Sequence, residues 1–168
     1  GFESKAVGQS FLRHFPGGRA SFHLAYIQHD NDFDVVADVA VRFDELENLV
    51  NQKTPLLSAR EKKQTYSLGA ELGNISGAGQ MRWAVTSLAD VPAVADELVD
   101  AFRQIGLPYI ERAMTVDAAF QMLRSPGPKA WLHSPIHVSR LKRVIGLALI
   151  LGKNDEIPEL VRQCVRML

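Results

Sequence analysis

The sequence predicts an α+β fold: an antiparallel sheet of four or five strands covered by helices, with a C-terminal helical hairpin. Apolar residues alternate with a period of two through much of the first half, and they recur at helical spacing in the second half. Strands that precede helices, instead of alternating with them, are typical of this class. The chain of 168 residues is predicted to form one domain, 1–168, with strands mostly in 1–89, helices in 90–124 and the helical hairpin in 129–168.

The clearest strands flank the stretch HDNDFD. Before it, SFHLAYIQ alternates, and after it Phe33–Phe43 places every second residue in an unbroken apolar row. Asp34, Asp38 and Arg42 occupy the opposite row, so this strand is predicted to have one face on the core and one in water. Asn and Asp favour tight turns because their side chains bond nearby backbone amides. HDNDFD is therefore predicted to be the tip of a hairpin.

Three further strands and a short helix complete the first half. TYSLGAEL and MRWAVTSL are predicted to pair as a second hairpin, joined by the glycine-rich loop GNISGAGQ. SFLRHF is predicted to be the fifth strand. Asp44 is predicted to cap a crossover helix, ELENLVNQ, that ends before Thr54–Pro55. The basic run AREKKQ at 59–64 is predicted to be a solvated loop. Arg42, Arg82 and Glu71 are interpreted either as charge pairs on the solvent side of the sheet or as a charged recognition surface built on rigid strands.

The second half carries helix start and stop signals. Asp90 and Pro92 suit the start of a helix that runs to about Ile105, and Gly106 with Pro108 is predicted to end it. Thr115 is predicted to cap a helix through Leu123, which SPGP then terminates. Ser134 and Pro135 are predicted to begin the first helix of the hairpin, with Gly152 closing it. Asp155 is predicted to cap the second, with Cys164 facing inward.

The charge is balanced overall and uneven locally. Nineteen basic residues match nineteen acidic ones, which argues against a nucleic-acid or anionic-membrane partner. Between Asp30 and Glu47, however, seven acids accompany a single arginine. This acidic stretch is interpreted either as a solvated face or as a surface that meets a basic protein. The lone Cys164 and the short longest apolar run, VIGLALIL, predict a cytoplasmic protein without a membrane span.

The motifs with chemical associations favour structural roles. The aspartates of HDNDFD match the start of an EF-hand loop, but Val35 and Val41 replace its glycine and closing glutamate. In HSPIH, His133 and His137 are four apart, yet the intervening proline places a helix start between them. GNISGAG lacks the following lysine and helix of a phosphate loop. We therefore predict no catalytic residue, metal site or cofactor.

The order of several short motifs resembles a family of bacterial domains of unknown function, over residues 1 to about 123. The matching positions are Gly1–Phe2, Phe11–Arg13, Gln28, the strand Phe33–Phe43, Leu68–Gly69, Trp83 and Gly106–Glu111. The resemblance implies that a helix precedes Gly1 in such proteins. Some small domains of this kind look like antitoxin or immunity proteins, so it also implies a binding role.

These observations leave three functional hypotheses. The first is a non-catalytic domain that binds a protein, of basic character, through Asp30, Asp32, Asp34, Asp38 and Arg42. The second is a small-molecule-binding or enzymatic site in a pocket between sheet and helices, formed by some of His23, His29, Tyr66, Arg82 and Trp83. The third is self-association through the helical hairpin.

Overall fold

The computed structural model describes residues 1–4, 9–52 and 57–165, and the elements below belong to those residues. The strands are β1 (Glu3–Ser4), β2 (Ser10–Phe15), β3 (Gly18–Gln28), β4 (Phe33–Phe43), β5 (Leu68–Glu71) and β6 (Trp83–Val85). The α-helices are α1 (Asp44–Gln52), α2 (Ala59–Gln64), α3 (Leu72–Ser76), α4 (Val91–Ala101), α5 (Leu107–Ala113), α6 (Val116–Arg124), α7 (Pro128–His133), α8 (His137–Ile150) and α9 (Ile157–Val165). The predicted α+β class with an antiparallel sheet is confirmed. The predicted end of α1 before Thr54–Pro55, and the side chain of Cys164, lie outside the described residues.

The sheet is a meander in which β1, β2, β3 and β4 pair in sequence order, all antiparallel. The last two strands share the remaining side of β4: β5 pairs with Asp38–Val41, and β6 pairs with Phe33–Val35. The predicted strand SFLRHF and the hairpin around HDNDFD are confirmed. The predicted second hairpin is wrong, because β5 and β6 each pair with β4 in successive stretches.

The chain leaves the sheet between β5 and β6, where a plain loop was predicted. The strand ends at Glu71 and continues directly into the short helix α3. Gly73 shows why glycine is needed here. A Cβ on it would overlap the Gly79 carbonyl oxygen and lie 2.6 Å from the Met81 nitrogen. Gly73 therefore allows close backbone packing in this folded excursion, whereas Gly77 and Gly79 supply its positive φ angles.

The core lies between one face of the sheet and the helices. The predicted apolar row of β4 faces it, with Val39 and Val41 fully buried. Helical residues that complete the core include Ile110, Phe120 and Leu147, each also fully buried. Removing such side chains from water supplies the main stabilisation of the fold.

The predicted helix end at Gly106 and Pro108 is wrong. Helical structure continues from α4 through a π-helical turn, Phe102–Gly106, into α5. The Leu107 N–H bonds to the Phe102 carbonyl, five residues back, so the wider turn accommodates the proline that follows. A Cβ on Gly106 would lie 3.0 Å from a Val39 methyl carbon, so glycine lets this turn pack closely on the sheet.

Other helix boundaries are partly as predicted. Thr115 caps α6 through a hydrogen bond to the Ala118 N–H, and the α8–α9 hairpin is present with Gly152 at φ +69° after α8. The prediction that AREKKQ is a loop is wrong: the run forms the helix α2, and Ser58 and Glu61 form a capping box at its start.

In the C-terminal part of the chain, α8 and α9 begin later than predicted, and the helix α7 was not predicted. Pro128, the last residue of SPGP, begins α7, and the first helix of the hairpin begins at His137 instead of Ser134–Pro135. The second helix of the hairpin begins at Ile157, two residues after Asp155. Within residues 1–4, 9–52 and 57–165, none of the helices combines the length and the apolarity needed to cross a bilayer.

Candidate functional site

The tip of the β3–β4 hairpin is held by its own hydrogen bonds. The His29 N–H donates to the Asp32 carbonyl at 2.9 Å, and the Gln28 side-chain amide donates to the same carbonyl at 3.1 Å. The His29 ring also contacts the Asp34 carboxylate at 3.2 Å. These bonds confirm the prediction that HDNDFD forms a turn. The described part of the chain contains no cluster of three or more His, Cys, Asp or Glu side chains placed to hold a metal.

The hairpin extends beyond its neighbour on one side. The paired register of β2 with β3 ends at Ser10 and His23, while β3 continues to Gln28. Residues 26–31 are exposed, including Tyr26 and Ile27, whose side chains lie on opposite faces of β3. We call this surface, residues 26–34, the hairpin ridge. It presents three aspartates, Asp30, Asp32 and Asp34, together with the exposed tyrosine and isoleucine.

Arg42 does not belong to this ridge. It lies eight residues from Asp34 along β4, about 26 Å away at strand spacing. The side chain was predicted to face solvent, which is wrong: Arg42 is only 3% exposed. Its guanidinium donates to Asp44 at 2.7 Å and to the carbonyls of Lys62 and Thr65 at 3.1 and 2.8 Å. Arg42 therefore joins β4 to the C-terminal end of α2, and the sequence pattern could not show this long-range contact.

Asp38 belongs to a second polar feature, a row of side chains across the outer face of the sheet. Ser10, His23, Asp38 and Glu71 lie in register on β2, β3, β4 and β5, and Ser10 Oγ contacts His23 Nδ1 at 2.8 Å. Arg82 ends the row by donating to Glu71 at 3.1 Å, a charge pair that the sequence predicted. Burial, and secondarily the Glu71 carboxylate, raises the pKa of Asp38, while His23 opposes the shift. Such a row can donate and accept hydrogen bonds to a polar ligand.

The alternative pocket residues do not meet between sheet and helices. His23 and Tyr66 line a cleft of about 370 Å³ on the outer face of the sheet, with Ser10 and Asp38. His29 lies at the hairpin tip instead, and Trp83 is buried in the core on the opposite face at 7% exposure. Of the predicted set, His23 and Tyr66 share this cleft, whereas Arg82 lies at the end of the polar row beside Glu71.

The two histidines of HSPIH have separate roles, as their spacing across a helix start predicted. His133 ends α7, and its Nδ1 contacts the Tyr109 hydroxyl at 3.0 Å in the buried interior. Burial, and then the nearby charge of Arg112, lowers the pKa of His133 to about 4. Burial also raises the pKa of Tyr109, so the hydroxyl donates and the neutral imidazole accepts. His137 begins α8 and contacts Arg140.

In comparisons with known proteins, no family model, curated protein or solved structure matches the chain. The resemblance to a family of bacterial domains stays a prediction. Inference about function consequently rests on the geometry of the hairpin ridge, the polar row and the cavities.

Proposed function

We propose that the chain is a non-catalytic protein-binding domain and that the hairpin ridge is its contact surface. The observation that carries the proposal is the exposure, on one projecting hairpin, of Tyr26 and Ile27 beside the aspartates at 30, 32 and 34. Exposed aromatic and aliphatic side chains close to charged ones are a common composition of protein interfaces. The preferred partner is a protein with a basic surface.

The ridge is suited to binding because its conformation is already fixed. The bonds among Gln28, His29 and Asp32 hold the turn, so little conformational entropy is lost when a partner docks. The aspartates would accelerate association with a cationic partner by electrostatic steering, and this contribution weakens with salt. An immunity-type or antitoxin-type role, in which the partner is a toxic protein, is the concrete form of the proposal.

The test compares two triple charge reversals. Asp30→Lys, Asp32→Lys and Asp34→Lys together change the ridge, while Asp96→Lys, Glu97→Lys and Asp100→Lys make the same charge change on the exposed surface of α4. Tagged wild-type protein is first used to capture its partner from extracts of the source cells. Affinity for that partner is then measured for each variant at low and high salt.

We expect the ridge variant to bind at least about tenfold more weakly than wild type, and the α4 variant to bind within about twofold. Tyr26→Ala should weaken binding as well, with little change in salt dependence, because it removes an uncharged contact. An equal loss of affinity in both triple variants would show that binding depends on net charge and not on the ridge. Unchanged affinity in the ridge variant would reject the proposed surface.

A second candidate function is supported by the outer-face cleft. Ser10, His23, Asp38 and Tyr66 converge on about 370 Å³, a volume within the range of small-molecule sites, and Asp38 carries a raised pKa there. A polar ligand held by this cleft should raise the unfolding temperature of wild type and of the ridge variant alike. The shift should be lost in the double variant His23→Ala, Tyr66→Phe. A ligand whose shift survives that double variant binds elsewhere.

A further inference from the structure

A separate cleft of about 550 Å³ opens among the C-terminal helices, between the end of α6, α7, α8 and α9. Its floor is apolar, since Leu123, Val144 and Leu160 line it and are almost fully buried. Trp131 lines it as well and is 56% exposed. None of the described residues that line the cleft is acidic. Arg140 is among the residues that line it.

Arg140 is a buried cation with neutral partners. The residue is 5% exposed, and its guanidinium donates to the Ser134 carbonyl at 2.8 Å and contacts His137 Nδ1 at 2.7 Å. No carboxylate pairs with it among the described residues. Burying a charge is costly unless an opposite charge accompanies it. Burial accordingly lowers the pKa of Arg140.

His137 adds a second donor without an acceptor. Its Nδ1 accepts from the Arg140 guanidinium, which has only N–H donors to offer, so in the neutral ring the proton is on Nε2. That Nε2 is buried and has no hydrogen-bond partner among the described residues. An unsatisfied buried donor of this kind calls for an explanation. Both His137 and Arg140 line the same cleft.

We infer that this cleft binds a small molecule in which a single carboxylate is attached to an apolar body. The carboxylate pairs with Arg140, and the apolar body covers the floor beside Trp131. A singly charged group fits better than a phosphate dianion, because the site offers one uncompensated positive charge. The other lining arginine, Arg124, is already paired with Glu156 at 2.6 Å. This inference is independent of the hairpin ridge.

A purely structural role for Arg140 accounts for less of the geometry. The bond to the Ser134 carbonyl stabilises the turn between α7 and α8. Guanidinium has five N–H donors, however, and the described residues accept two hydrogen bonds from it. A carboxylate supplies the guanidinium with further acceptors and with the opposite charge that its present partners lack.

The test uses octanoate as the probe and the two tryptophans as reporters. In a ¹⁵N–¹H spectrum the indole N–H of Trp131 should shift on titration, and that of Trp83, buried in the core, should not. Octanol, which has the same chain without the charge, should bind at least about tenfold more weakly. Arg140→Gln should weaken octanoate binding by at least about tenfold, and Arg103→Gln, at an exposed position outside the cleft, should leave it within about twofold.

Several outcomes would overturn the inference. They are equal binding of octanol and octanoate, octanoate affinity retained in Arg140→Gln, and tighter binding of octyl phosphate than of octanoate. Should Arg140→Gln fail to fold, Arg140→Lys keeps the charge and Trp131→Ala alters only an exposed wall. Both should then weaken octanoate binding while the folded spectrum persists, Arg140→Lys because an ammonium cannot make the two-pronged contact of a guanidinium. Binding to Trp131→Ala is followed on the backbone amide signals, because this variant lacks the indole reporter. Absence of any Trp131 shift at millimolar octanoate would also overturn it.

Discussion

Arg143 on α8 forms a two-pronged ion pair with Glu47 on α1. Its Nε donates to Oε1 at 2.8 Å and a terminal nitrogen donates to Oε2 at 3.2 Å. The Glu47 side chain is fully buried, and the Arg143 side chain is 13% exposed. This pair fixes the crossover helix after β4 against the first helix of the C-terminal hairpin, which is 96 residues away in the chain.

Breaking the Arg143–Glu47 pair on one side should be far more damaging than replacing it. Arg143→Ala leaves the Glu47 carboxylate buried without a cation and is expected to lower the free energy of unfolding by roughly 3–5 kcal/mol. The double variant Glu47→Leu, Arg143→Met should lose much less, because no charge stays buried. Urea unfolding of both variants and wild type measures the difference. A double variant as unstable as Arg143→Ala would show that the pair itself is strongly stabilising.

Arg42 should stabilise the fold around α2 through its hydrogen bonds. Arg42→Met removes the donors to Asp44, Lys62 and Thr65, so we expect a loss of about 2–3 kcal/mol in unfolding free energy. Arg60→Met, on the exposed side of α2, should change it by less than about 0.5 kcal/mol. Hydrogen exchange should become faster in α2 for the Arg42 variant. Equal stability of the two variants would contradict the anchoring role.

His133 should make stability depend on pH in a defined window. Its pKa is about 4 in the folded chain against 6.5 when unfolded, so between these values the unfolded chain binds more protons. Unfolding free energy should therefore fall as pH drops from 7 to 4, by up to about 3 kcal/mol from this group. His133→Asn keeps an acceptor for Tyr109 and removes the titration. Its stability profile should be flatter by that amount, and parallel profiles would contradict the assignment.

Gly73 should not accept even one added methyl group. Gly73→Ala places a Cβ against the Gly79 carbonyl and the Met81 nitrogen, so the excursion between β5 and β6 has to move. We expect a loss of about 2 kcal/mol or more in unfolding free energy. Asn74→Ala, on the exposed neighbouring position of α3, is the matched control and should change stability by less than about 0.5 kcal/mol. Thermal unfolding of both proteins is sufficient to distinguish them.

The sequence was informative wherever a single period dominated. The row Phe33–Phe43 identified β4, its buried face and its pairing with β3, since one register places every apolar side chain inward. Prediction from the sequence failed where tertiary packing overrode a helix-stop signal. Gly106 and Pro108 are such signals, yet the π-helical turn and the close approach to Val39 keep the helix continuous.

The candidate sites were less predictable because they depend on distant contacts. The acidic tip could be located from residues 29–34 alone, as local hydrogen bonds determine it. Arg42 looked like a solvent-facing strand residue, and only the packing of α2 explains its burial. The three-residue spacing of His137 and Arg140 on a helix indicates only that their side chains are neighbours. The cleft around them needs α6, α7 and α9, which no single segment of sequence specifies.

The interrupted pairing along β4 has a consequence for aggregation. A long strand with unpaired backbone groups is a template on which another chain can add, and the described sheet offers only short ones. On one side the outer strand is split into β5 and β6, of four and three residues, with a folded excursion between them; on the other, β1 has two. Beyond Leu24, β3 has no strand partner on its β2 side among the described residues, and this end leads into the aspartates of the ridge. Sheet edges as short as these resist edge-to-edge polymerisation between copies of the chain.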